Sequence, residues 1–141
     1  FSVVVPLFSE LALIPTIYNR TLIGGNIPVA FMNLMGGYEE GRYMEQQIPF
    51  MGFNYTYAFK NVLTVASLDA RLRIGRSHYI LASGSYALDS EGIKDFFAGP
   101  GIVGVRLGYS HNSPIGPISF NLHWSNYTRR LGAYLSLGYS F

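Results

Sequence analysis

Through much of the chain every second residue is apolar. In "FMGFNYTYAF" (50–59), Met51, Phe53, Tyr55, Tyr57 and Phe59 fall on one face, and Gly52, Asn54, Thr56 and Ala58 on the other, which is the two-residue period of a strand. "VLTVASLDARLRI" (62–74) repeats the pattern at greater length. Val62, Thr64, Ala66, Leu68, Ala70, Leu72 and Ile74 carry no charge, while Asp69, Arg71 and Arg73 share the opposite face. Lys60 and Asn61 between these runs predict a tight hairpin.

Further strands follow. Val103, Val105, Leu107 and Tyr109 alternate with Gly104, Arg106 and Gly108; Ile118, Phe120, Leu122 and Trp124 alternate with Ser119, Asn121, His123 and Ser125. "HYILASGSYAL" (78–88) alternates more weakly. Upstream, "FSVVVPLF", "LALIPTIY" and "VAFMNLM" read as three more strands, with Pro6 and Pro15 interrupting their ladders. The pattern gives about eight antiparallel strands and no helical period.

Such strands suit either a soluble sandwich, apolar side inward, or a membrane barrel, apolar side toward lipid. Composition favours the barrel. The 141 residues are 49% apolar and 16% aromatic, and the 13% that are charged compare with roughly 25% in soluble domains. Several runs reach the ~9–11 residues of a tilted membrane crossing, and aromatics gather near strand ends, as at a bilayer interface. No apolar stretch reaches the ~20 residues of a membrane helix. The expected fold class is therefore all-β, an antiparallel transmembrane β-barrel or half-barrel. The whole of 1–141 reads as a single barrel segment of a mature or truncated chain, because "FSVVVPLFSE" has neither an initiator Met nor the basic start of a signal peptide.

Charge and chemistry exclude several functions. A formal net charge of +2 without a basic tract argues against nucleic-acid binding. Without cysteine, disulfides and thiolate metal sites are ruled out. His78, His111 and His123 lack metal-ligand spacing, and no metal or cofactor is expected. "GRSHY" (75–79) lacks the closing glycine of a nucleophile elbow, so Ser77 and His78 read as a hairpin and no catalytic residue is assigned. Glu39, Glu40, Glu45 and Arg42 read as a solvated loop. Three N-x-T triplets, at 19, 54 and 126, read as incidental.

The end of the chain, "GAYLSLGYSF", places Phe141, Tyr139, Leu137 and Leu135 on one face. It resembles the terminal signal that bacterial outer-membrane barrels present to their assembly machinery. "GRYMEQQIPFMGFNY" (41–55), "ASLDARLRI" (66–74), "SPIGPISFNLHWSN" (113–126) and "RLGAYLSLGYSF" (130–141) together resemble the carboxy-terminal barrel of Bacteroidetes-type patatin-like phospholipases. In that family a patatin lipase domain is joined through a POTRA-like module to a barrel of the surface-antigen type. The "SPIGPISF" turn and strand are also similar to the wider superfamily of such barrels, which includes those that insert or secrete other proteins. The resemblance implies an outer-membrane module that anchors, displays or helps export a lipase domain lying outside this chain. A pore or transporter, or a free-standing structural or adhesin barrel, is the alternative. The partners it implies are outer-membrane lipids and the barrel assembly machinery, with a second copy or missing upstream strands completing the wall.

Function would then lie on the polar face, whose candidates are Asn54, Asp69, Arg71, Arg73, Arg106, Asn121 and His123. Charges at membrane depth persist where they face water or each other, so Asp69 is expected to pair with Arg71 or, across strands, with Arg106. A plugged interior is favoured over a conduit, since eight strands leave room only for side chains. With Phe141 on the periplasmic side, counting strands backward places "GGYEEGRYMEQQIP" (36–49) in the periplasm, unusually long for a turn there.

Overall fold

A computed structural model describes residues 1–24, 27–37, 46–92, 95, 99–114 and 116–138. The strands are β1 (Val5–Pro6), β2 (Leu11–Thr21), β3 (Asn33–Met35), β4 (Gln47–Ile48), β5 (Tyr57–Phe59), β6 (Val62–Ile74), β7 (His78–Ser90), β8 (Ile102–Ser113), β9 (Gly116–Ser125) and β10 (Leu131–Leu137). Seven of them form an antiparallel sheet in the order β1-β2-β6-β7-β8-β9-β10, and the other three form a small sheet, β4-β3-β5. The chain is all-β, an antiparallel sheet consistent with a barrel or half-barrel, and among the described residues β10 has no strand on its outer side.

The two-residue period sorts the side chains. One register row across the sheet runs Leu72, Ile80, Tyr109, Phe120, Leu135, and every member is exposed. The parallel row Ala70, Ala82, Leu107, Leu122, Ala133 continues this open apolar face. Pleating sends the intervening residues to the other face, which is covered by the chain between β3 and β6. There Met35, Ile48, Phe50 and Phe53 pack on Leu63, Val65, Ala87 and Ile102. The polypeptide thus buries its core on one side of the sheet and leaves the more continuous apolar surface uncovered.

Residues 50–59 depart from the expected long strand. Only Tyr57–Phe59 is strand, and it pairs with β3. Phe53 and Tyr55 belong to the same alternating set, yet Phe53 is 3% exposed and Tyr55 74%, so the period does not describe this segment. Gly52 explains the break. Its φ of +95° leaves the extended region, and a β-carbon there would lie 2.5 Å from Ser125 and 2.6 Å from the Trp124 backbone. The chain is pressed flat onto β9. Consequently Lys60 and Asn61 do not form a hairpin between β5 and β6. They carry the chain from the small sheet to the large one, and Asn33 Nδ2 donates to the carbonyls of Lys60 at 2.7 Å and Asn61 at 3.0 Å.

Two of the three upstream strands are shorter than expected. "VAFMNLM" is a 3-10 turn, Val29–Phe31, followed by β3. β1 holds two residues, extended by a bridge between Ser2 and Thr16. Pro15, by contrast, sits inside an unbroken β2. Its carbonyl accepts from Val3 N, so its missing donor also faces the edge strand, where the ladder tolerates it.

The same topology corrects the placement of 36–49. Thr21 pairs with Val62, so β2 ends where β6 begins, and the chain from 22 to 61 leaves and returns at one end of the sheet. The connections 91–101 and 126–130 lie at that end too; the short turns 75–77 and 114–115 lie at the other. The described flanks of 36–49, residues 36–37 and 46–49, therefore lie on the long-loop side of the topology. Glu39, Glu40, Arg42 and Glu45 lie outside the described residues.

Candidate functional site

The covered face carries a polar row: Asp69 on β6, Ser83 on β7, Arg106 on β8 and His123 on β9 are successive register partners. Arg106 Nη2 donates to Asp69 Oδ1 at 2.6 Å. Ser83 stands between the pair. Its hydroxyl donates to Asp69 and accepts from Arg106 Nε at 2.9 Å and Nη2 at 2.5 Å. A serine is needed there because a longer side chain would occupy the line along which the guanidinium crosses β7 to reach the carboxylate. Both charges are largely shielded, with side chains 11% and 28% exposed for Arg106 and Asp69. Shielding of this kind makes a partnered charge tolerable and an orphaned one costly.

A second row of small residues, Thr16, Ser67, Ser85, Gly104 and Ser125, adjoins the first. Small side chains let Phe50–Phe53 lie on the face as a roof. A β-carbon on Gly104 would stand 2.0 Å from the Met51 carbonyl oxygen, and Thr128 Oγ1 donates to the Gly52 carbonyl at 3.1 Å. Beneath the roof, Pro49 and Met51 enclose a cavity of about 300 Å³ over Thr16, Ser67, Asp69 and Arg106.

The remaining candidates are distributed around this centre. Arg71 and Arg73 pair in register with Leu81 and Tyr79, two and four residues along β6 from Asp69, and both are exposed. Asp69 therefore takes Arg106 rather than Arg71. Asn121 is fully buried with its amide over Gly108, where a β-carbon would lie 2.1 Å from Oδ1. Asn54 is not on a strand. It is an exposed loop residue whose Oδ1 stands, with His123 Nε2, over Gly132. Ser83, the bridge of the ion pair, carries no signal in the sequence beyond the weak small-residue alternation of its strand. Leu135 and Leu137 of the terminal segment lie on the open face of β10 and are exposed; Tyr139 and Phe141 fall outside the described residues.

Elsewhere, Ser77 lies in the β6–β7 turn, and the neighbouring His78 ring bonds the Tyr109 hydroxyl at 2.6 Å on the open face. No cluster of three or more His, Cys, Asp or Glu forms among the described residues, and no helix among them is long and apolar enough to cross a membrane. The site is a charge-compensated polar lining under a packed roof, on the reverse of an exposed apolar sheet.

Comparison with known proteins found no curated protein and no solved structure that matches the chain. A family model does match, over residues 2–141, and it describes the OMP85 superfamily. The antiparallel sheet with its apolar open face, covered by that match along nearly its whole length, places this chain in the OMP85 superfamily of bacterial outer-membrane β-barrel proteins.

Proposed function

We propose that the chain is one wall of an outer-membrane barrel that anchors and displays a patatin-like phospholipase domain and helps carry it to the outer membrane. The observation behind the membrane part is the open face. Leu107, on the interior strand β8, and Leu135, on the edge strand β10, are each 60% exposed, within an apolar surface spanning seven strands. Soluble proteins rarely leave contiguous apolar patches beyond a few hundred Å² uncovered. In a bilayer that surface is solvated by acyl chains, while Asp69, Arg106 and His123 face the interior, where charge is affordable. The lipase part rests on the resemblance of 41–55, 66–74, 113–126 and 130–141 to the barrels of patatin-like phospholipases.

The edges left unpaired among the described residues constrain what would close the wall. An unpaired strand edge in lipid leaves backbone groups unsatisfied at several kcal/mol each. With seven antiparallel strands, β1 and β10 run in the same direction. A ring of antiparallel neighbours contains an even number of strands, so closure takes an odd number more. A second copy related by a twofold axis along the membrane normal would set β10 against its partner's β1 in parallel, at two seams. Strands from elsewhere in a longer parent protein meet the requirement, and this supports the chain as part of such a protein.

Two measurements test the reading. Deleting 1–141 from the parent should move its phospholipase activity out of the outer-membrane fraction; activity that stays there unchanged, or a parent without a G-x-S-x-G elbow, contradicts the anchoring role. Cysteines placed at Val5 and Leu135 of the parent should give no disulfide-linked dimer under oxidation. A dimer joined between those positions would establish closure by a second copy instead.

A further inference from the structure

The open face holds one polar cluster that the barrel reading leaves unused. His78, the first residue of β7, and His111, near the end of β8, are direct register partners, so their side chains leave the same face side by side. The imidazoles stack with centroids 4.6 Å apart and planes 26° from parallel. Tyr109, on the same face, bonds His78 Nδ1 through its hydroxyl at 2.6 Å. Nδ1 of His111 is buried without a hydrogen-bond partner among the described residues. Two imidazoles and a phenol on a largely apolar wall carry a desolvation cost that a ligand would offset.

Their chemistry and spacing select the ligand. Imidazole is a donor for borderline divalent ions. Nitrogens bound to one tetrahedral ion at ~2.0–2.1 Å lie about 3.3 Å from each other. Rings stacked at 4.6 Å with a 26° tilt are neighbours but do not yet aim at one point, so convergence on one ion requires both side chains to rotate out of the stack. The Tyr109 hydroxyl occupies His78 Nδ1, which leaves Nε2 for the metal and fixes the ring, the usual work of an outer-shell partner.

We propose that His78 and His111 form a two-imidazole site for a single Zn²⁺, Ni²⁺ or Cu²⁺ ion, oriented by Tyr109, with water completing the coordination. The site lies beside the short turns. β7 and β8 are not connected to each other at that end; each is joined there to its other neighbour. The ion therefore clips two adjacent hairpins at their tips. Both strands are interior to the sheet, so the site is complete in this chain whatever closes its edges.

The test is Cu²⁺ binding by the untagged full chain in detergent micelles, followed by electron paramagnetic resonance and by titration. One ion per chain with a two-nitrogen signature is expected. His78→Gln and His111→Gln should each weaken binding at least tenfold, and together abolish it. Tyr109→Phe should weaken it roughly 10–100-fold, as loss of an outer-shell partner does, while the two-nitrogen signature persists. Heat-modifiable gel mobility identifies the folded variants, and the conservative glutamines keep the strands polar at these positions. Binding that survives in the double variant, or that disappears on His123→Gln instead, overturns the proposal, as does a folded wild-type chain that takes up none of the three ions.

Discussion

Asp69→Ala is expected to destabilise the folded sheet by about 3–5 kcal/mol, the cost of stripping a shielded charge of its partner. Arg106 is 11% exposed, and without the carboxylate its guanidinium loses its counter-charge while keeping the Ser83 hydroxyl. Asp69→Asn retains an acceptor and should lose less. Replacing both charges together, Asp69→Leu with Arg106→Met, should recover much of the loss, because the desolvation cost disappears with the pair. Urea unfolding in micelles, read by tryptophan fluorescence from Trp124, measures the series. Asp69→Ala as stable as the unaltered chain would mean that the pair is solvated and that this face is not an interior.

Phe50→Ala is expected to cost a similar amount, about 3–5 kcal/mol, through lost burial and the cavity left behind. Phe50 is 1% exposed, in ring contact with Phe53 at 5.0 Å, and packed in the cluster with Met35, Leu63 and Val65. It holds the roof to the sheet, so the same variant should expose the 46–56 segment to protease before the strands unfold. Tyr55→Ala, at a 74% exposed position, should change stability by less than about 0.5 kcal/mol. Equal effects at the two positions would contradict the roof.

The contrast between those two aromatics also marks where the sequence is legible. In β6, β8 and β9, each residue sits between two neighbouring strands, so the pleat alone decides which way it points. The alternation of Leu68, Leu72, Leu107 and Leu122 is therefore the observed face pattern. The register that joins Asp69 to Arg106 is a long-range property. Sequence offers Arg71 and Arg106 equally, and only the pairing of β6 with β7 and of β7 with β8 selects Arg106. Residues 50–56 mimic a strand because aromatics happen to fall at alternate positions, while Gly52 and the close approach to Gly104 dictate a flat loop. That error also shifted the strand count and placed 36–49 at the wrong end. Asn54 went astray with it, reaching the polar face from a loop.

The roof bears on the interior as well. Phe50 and Phe53 fill the face over Leu63, Val65 and Ile102, with a cavity of about 300 Å³ under Pro49 and Met51 and another of about 450 Å³ beside Phe59 and Ile102.

The central claim is that the exposed apolar face meets hydrocarbon and the ion-paired face does not. Nitroxide labels at Leu68, Leu107 and Leu135, compared with labels at Ser67 and Ser85 in the protein reconstituted into liposomes, test it most directly. The first three should collide frequently with dissolved oxygen and rarely with a water-soluble nickel chelate, whereas the serine positions should be shielded from oxygen. Labels at Leu107 and Leu135 that are open to the chelate, or closed to both reagents in a dry protein core, would contradict the account.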